Sequence, residues 1–113
     1  MIEYWHNPRC SKSRAGLALL EENGAEVQVR KYLDDAPSAD ELRAALALLG
    51  GSAIDMMRTG EKQFKELGLT ETSPEDALIK AMAEHPILIE RPLAIAGDKT
   101  AIGRPPEKLL NLL

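Results

Sequence analysis

Cysteine occurs once in these 113 residues, at Cys10. A lone thiol excludes an internal disulfide, and a free, reactive thiol fits a reducing cytoplasm, which is the compartment expected for this chain. Histidine is almost as scarce. His6 and His85 lie far apart, and with one cysteine and scattered carboxylates they form no metal-ligand spacing. Neither a metal nor a bound cofactor is expected. No apolar run is long enough to cross a bilayer and no signal-like apolar core opens the chain, so no membrane partner is expected. Dense basic runs are also missing, and a net charge of −4 argues against nucleic-acid binding. Repeats and low-complexity linkers are absent. What is present is ordinary for a globular domain: 44% apolar and 28% charged residues. A chain of this length buries about two-thirds of its unfolded surface. One domain, residues 1–113, is expected, as a monomer.

The segment on which the chain is organised is His6-Asn7-Pro8-Arg9-Cys10-Ser11-Lys12-Ser13-Arg14. Met1 to Trp5 before it reads as a strand. Ala15 to Glu22 after it reads as a helix, stopped by Asn23-Gly24. Cys10 therefore sits where a strand hands over to a helix N-terminus, whose free N–H groups and dipole favour a thiolate. Arg9, Lys12 and Arg14 add positive charge to the same turn. A lone cysteine is more often a small buried apolar residue, but a polar, proline-containing loop argues against burial. Magnitudes show that the loop needs help. Lowering a cysteine pKa by about two units takes ~2.7 kcal/mol of preferential thiolate stabilisation. A helix terminus supplies roughly 0.3–1 kcal/mol, and up to ~2 when partly buried. At least one cation or a set of donors must point at the sulfur. His6 and Ser13 are local candidates; an arginine brought in by the fold would be stronger.

Further along, Glu26 to Tyr32 alternates polar and apolar residues, as a strand with one buried face does. Strand, helix, strand makes a βαβ unit with parallel strands. Ser38 and Glu41 have capping-box spacing ahead of a helix that ends at Gly50-Gly51. Short helices follow around Ile54–Met57 and Glu61–Leu67, with Met56-Met57 as core filling. Another helix is expected to start with Ser73 as cap and Pro74 in its first position, and to stop near His85-Pro86. His85 reads as a helix-end residue rather than a catalyst. Gly97-Asp98 between apolar runs signals a hairpin, and Glu107 to Leu113 a closing helix. The fold class is α/β, with a small mixed sheet and helices packed on it.

A thiol at a strand-to-helix turn, with a late hairpin entered through Arg91-Pro92, resembles the thioredoxin-like fold, in which a cis-proline loop faces the cysteine. The likeness extends further. The Cys10 loop resembles the active-site loop of the glutaredoxin-coupled arsenate reductases. His85-Pro86-Ile87-Leu88-Ile89-Glu90-Arg91-Pro92 resembles their arginine–cis-proline segment. Arg58 with Glu61, Phe64 and Leu67 resembles their central motif, and Ile102-Gly103-Arg104-Pro105-Pro106 the last one. The resemblance covers essentially the whole chain. It implies a thioredoxin-like fold with a helical subdomain inserted at about residues 36–84. It implies Cys10 as nucleophile, Arg58, Arg91 and Arg104 as the oxyanion-binding set, and His6 as a residue that helps lower the thiol pKa. Taken singly, each arginine would read as a solvated surface charge.

The implied reaction is reduction of arsenate to arsenite. Cys10 attacks arsenate, glutathione attacks the adduct as co-substrate, and glutaredoxin resolves the glutathionylated intermediate. Ser13 stands where a Cys-x-x-Cys centre would have its second thiol, so the electrons must come from outside. Three other readings share the fold: an Spx-like transcription regulator that binds RNA polymerase, a glutathione-dependent thiol reductase without arsenate activity, and a thioredoxin-like module with no turnover.

Overall fold

The computed structural model describes all residues, Met1–Leu113, in two compact units. One comprises Met1–Asp35 with Arg91–Leu113, and the other Ala36–Glu90.

In the first unit, β1 (Ile2–Trp5), α1 (Ser11–Glu22) and β2 (Val27–Arg30) form the βαβ unit, and β3 (Leu93–Ala96) and β4 (Lys99–Ile102) the hairpin. The sheet order is β2-β1-β3-β4. β1 runs parallel to β2, with Ile2 opposite Val27 and Trp5 opposite Arg30, and antiparallel to β3. Gly97 turns the hairpin at φ 59°, a left-handed conformation open to glycine without strain. One face of the sheet is closed by α1 and by a 3-10 helix, Pro106–Leu112. Between them Ile2, Tyr4, Leu20, Ala94, Leu109 and Leu112 form the core. β2 departs from expectation: Val27 is only half-buried and Val29 is 44% exposed. It is an edge strand and ends at Arg30, so its apolar residues lie where the sheet meets solvent.

Two glycines set how closely the hairpin entry packs. A Cβ on Gly16 of α1 would lie 2.5 Å from Tyr4 Oη, 2.6 Å from Leu109 Cδ1 and 3.3 Å from Pro92 Cγ; one on Gly103 would lie 2.7 Å from Pro92 Cγ. The Tyr4 hydroxyl cannot give way freely, because it donates a 2.7 Å hydrogen bond to the Ser13 carbonyl. Alanine would gain about 1 kcal/mol of helix propensity, but overpacking costs typically ~1–3 kcal/mol. Gly16→Ala is therefore expected to lower the melting temperature in thermal denaturation. An unchanged or higher value would show that the contacts around Pro92 yield easily.

The second unit is helical. α2 (Ala39–Leu49) begins with the expected capping box, in which the Glu41 N–H donates to Ser38 Oγ at 3.1 Å and the Ser38 N–H to Glu41 Oε1 at 3.0 Å. It ends on Gly50 at φ 82°. A 3-10 turn, Ala53–Met56, and α3 (Lys62–Glu66) follow. α4 (Glu75–Glu84) packs on α2, burying Leu78, Ile79, Ala81 and Met82 against an inventory that includes Leu42, Ala45, Met56 and Met57. A second 3-10 turn, Pro86–Leu88, leads to Ile89, which bridges to Met57. The α4 cap differs from expectation. Pro74 is the capping residue, and Ser73 Oγ instead accepts the Thr70 N–H at 2.8 Å, closing the preceding turn. A short hydroxyl can serve either role, and here the turn engages it. No helix is long and apolar enough to cross a membrane.

Candidate active site

Cys10 is the N-cap residue of α1, which begins at the very next residue. Its backbone is fixed on both sides: its N–H donates to the Asn7 carbonyl at 3.0 Å, and its carbonyl accepts the Arg14 N–H at 3.0 Å. The side chain is partly exposed. The Lys12 and Ser13 N–H groups of the first turn face the sulfur and favour its charged form. Neither makes a hydrogen bond of ordinary geometry to it.

The loop before Cys10 is braced from within. Ser13, fully buried, is the hub. Its Oγ lies 2.8 Å from His6 Nδ1 and accepts the Asn7 N–H at 3.0 Å, while its carbonyl takes the Tyr4 hydroxyl. The His6 ring also lies 5.7 Å from the Tyr4 ring. Asn7 Oδ1 accepts the Arg9 N–H at 3.0 Å, and Arg14 Nη1 donates to the Pro8 carbonyl at 2.8 Å. Burial lowers the His6 pKa, and the Lys31 and Arg14 cations lower it further, so its ring is neutral near pH 7. His6 meets Ser13, and the Ser13 N–H faces the sulfur. Through this chain of contacts His6 holds the loop that presents the thiol.

The hairpin delivers the cations. The Arg91–Pro92 bond is cis, and so is Arg104–Pro105. The first agrees with the fold resemblance; the second was not foreseen. Arg91 reaches Cys10. Burial pushes the thiol pKa up, but the Arg91 guanidinium and the Ser13 and Lys12 N–H groups outweigh it, and the pKa lies below its ordinary value. Arg104 Nε donates to the Arg91 carbonyl at 2.9 Å, which locks the second arginine to the first. Cys10, His6, Arg91 and Arg104 all lie within one unit, with Arg91 beside Cys10 and Arg104 tied to the Arg91 backbone.

The chain is matched by the ArsC family model over residues 5–112. The chain belongs to the ArsC family. It is 50% identical to an arsenate reductase of Neisseria meningitidis over 99% of this chain and 97% of that one. An uncharacterised Escherichia coli protein, YfgD, is 48% identical over 99% and 96%. Among solved structures, an arsenate reductase from Vibrio cholerae superposes with a TM-score of 0.94 at 47% identity, covering 99% and 97% of the two chains. The thioredoxin-like α/β fold is thereby established.

Arg58, the remaining arginine expected from the motif resemblance, lies in the helical unit. Its Nη1 is 2.7 Å from Glu61 Oε1 and its Nε 4.0 Å from Glu90 Oε1, and its N–H donates to the Leu88 carbonyl at 2.7 Å. No group of three or more His, Cys, Asp or Glu side chains converges as a metal site would require. Sequence reasoning missed Tyr32. It lies two residues beyond β2, at the sheet end from which the Cys10 loop also leaves, and it is fully buried. The one signal was topological: parallel neighbours deliver the residues after them to the same edge.

Proposed function

We propose that this protein reduces arsenate to arsenite through the single thiol of Cys10, as a cytoplasmic monomer, with electrons from glutathione and glutaredoxin. The observation that carries the reading is the Arg91 guanidinium beside a thiol of lowered pKa. That pairing serves an incoming tetrahedral oxyanion twice. A guanidinium forks onto its oxygens, and the same cation keeps the sulfur nucleophilic. Arg104, bound to the Arg91 carbonyl, would add a second fork. Arg58 joins the proposed set by the resemblance of its motif alone, and its guanidinium pairs with Glu61 in the structure.

In the first step the Cys10 thiolate forms a sulfur–arsenic bond and an arsenate oxygen leaves as water after protonation. Charge on the remaining oxygens is held by the arginines. A glutathione thiolate then forms a disulfide with Cys10 as the sulfur–arsenic bond breaks. Arsenic retains that electron pair and departs as arsenite. Glutaredoxin reduces the mixed disulfide and restores the thiol. Both electrons come from outside thiols, in keeping with Ser13, buried and three times hydrogen-bonded, at the position of a resolving cysteine.

The test is a coupled assay with arsenate, glutathione and glutaredoxin, run beside a glutathionylated peptide. Arsenate-dependent turnover is the expected result. Turnover of the peptide with none of arsenate would assign the thiol to mixed-disulfide reduction, and binding to RNA polymerase without turnover of either would assign the chain to regulation.

A further inference from the structure

Tyr32 has no part in the chemistry above, yet its hydroxyl is anomalous. The side chain is 0% exposed, and the buried hydroxyl makes no hydrogen bond of ordinary geometry, although the Arg91 and Asn7 side chains lie close enough to favour its oxygen. Buried hydroxyls are nearly always satisfied, so an orphan one calls for an explanation such as a bound water, an ion or a functional role. The backbone explains its position. Trp5 pairs with Arg30 in parallel register, and the His6 N–H donates to the Arg30 carbonyl at 2.8 Å. The chain after β2 therefore runs beside the chain after β1, which sets Tyr32 alongside Asn7. The polar groups that face the phenol are Arg91, Asn7 and Cys10.

We propose that the Tyr32 hydroxyl is a substrate-binding donor, giving a hydrogen bond to an oxygen of the arsenate held at Cys10 and Arg91. The inference rests on the oxyanion reading above and adds a fourth, uncharged contact to the arginine set. The field of the Arg91 guanidinium draws the phenol oxygen toward the cation and leaves the hydroxyl hydrogen free to be donated. Burial, the largest influence, raises the phenol pKa, while Arg91 partly offsets it. The group therefore stays protonated at neutral pH and acts as a donor, not a base. A neutral donor also binds the oxyanion without further raising the positive charge around the thiolate.

The experiment compares arsenate binding by calorimetry in Cys10→Ser and in Cys10→Ser/Tyr32→Phe, with the melting temperature of each. It adds kcat/KM and the pH dependence of Cys10 alkylation in Tyr32→Phe alone. Losing one hydrogen bond to a charged group corresponds to an approximately 10- to 150-fold weaker Kd. The expected result is a loss in that range, a matching fall in kcat/KM, a melting temperature no lower than the parent's, and an unchanged alkylation inflection. Equal arsenate affinity in the two proteins overturns the inference and leaves the oxyanion site standing. So does a loss of affinity that tracks a lower melting temperature, since Tyr32 would then be structural. So also does a raised alkylation inflection with unchanged affinity, which would make the phenol a partner of the thiolate. Absence of arsenate binding in Cys10→Ser itself overturns both readings, and is recognised because it precedes the Tyr32 substitution.

Discussion

Cys10→Ser is expected to abolish arsenate turnover while leaving arsenate affinity largely intact. The division follows from which atoms carry which task. A serine hydroxyl is not ionised near neutral pH, so the substitution removes the nucleophile and keeps its volume nearly the same. Helix α1 starts at Ser11 and holds its first turn through Ser13, His6 and Asn7, none of which uses the sulfur. The loop should therefore keep its shape. The ground-state anion would be held by Arg91 and Arg104, which the variant leaves in place. Titration with arsenate together with the coupled assay checks both halves. Residual turnover would place the nucleophile elsewhere, and loss of binding along with turnover would contradict an anion site held by the arginines.

Arg91→Ala is expected to lose more in turnover than in binding. Arsenate forfeits a charge-assisted partner, which is worth ~1.5–3 kcal/mol, or roughly 10- to 150-fold in affinity. The thiol forfeits the cation that does most to offset its burial, so its pKa rises. For each unit of rise above the working pH, the thiolate fraction falls about tenfold. The two losses multiply in kcat/KM at neutral pH. Raising the pH should recover the second loss and not the first, so the gap between the rate defect and the affinity defect narrows as the solution becomes alkaline. Arg91→Lys should recover only part of the affinity, since an ammonium keeps the charge and lacks the two-pronged geometry. Kinetics and calorimetry across a pH series would show this. Defects in rate and affinity that stay equal at every pH would mean that Arg91 binds the anion without acting on the sulfur.

Features set by neighbouring residues were legible in the sequence. The Ser38/Glu41 capping box, the Gly50 stop, the Gly97-Asp98 turn and the placement of Cys10 at a helix start each depend on a few consecutive side chains and appear as read. Features set by sheet order were not. Alternation in Val27 to Arg30 reports a pleat but cannot tell an edge strand from a central one, so the exposure of Val29 was out of reach. Ser73 had two local backbone donors to choose between, and the turn engaged it. The approach of Arg91 to Cys10, and of Arg104 to the Arg91 carbonyl, depends on the hairpin lying beside β1, which no local pattern encodes. Resemblance to known motifs was the source of the expectation that Arg91 faces the thiol. Tyr32 fell outside those motifs, and the parallel register that places it beside Asn7 emerges only when the sheet is assembled.

The central claim is that Cys10 is a thiolate activated for, and shielded by, an oxyanion bound at the arginines. The rate of Cys10 alkylation as a function of pH, with and without arsenate, tests it in a single measurement. Because the folded site lowers the thiol pKa, the inflection should fall below that of the same cysteine in the unfolded chain, ~8.5 for a free thiol. Arsenate should slow alkylation in proportion to its occupancy of the site. An inflection at or above ~8.5, with an alkylation rate indifferent to arsenate, would contradict both parts of the account.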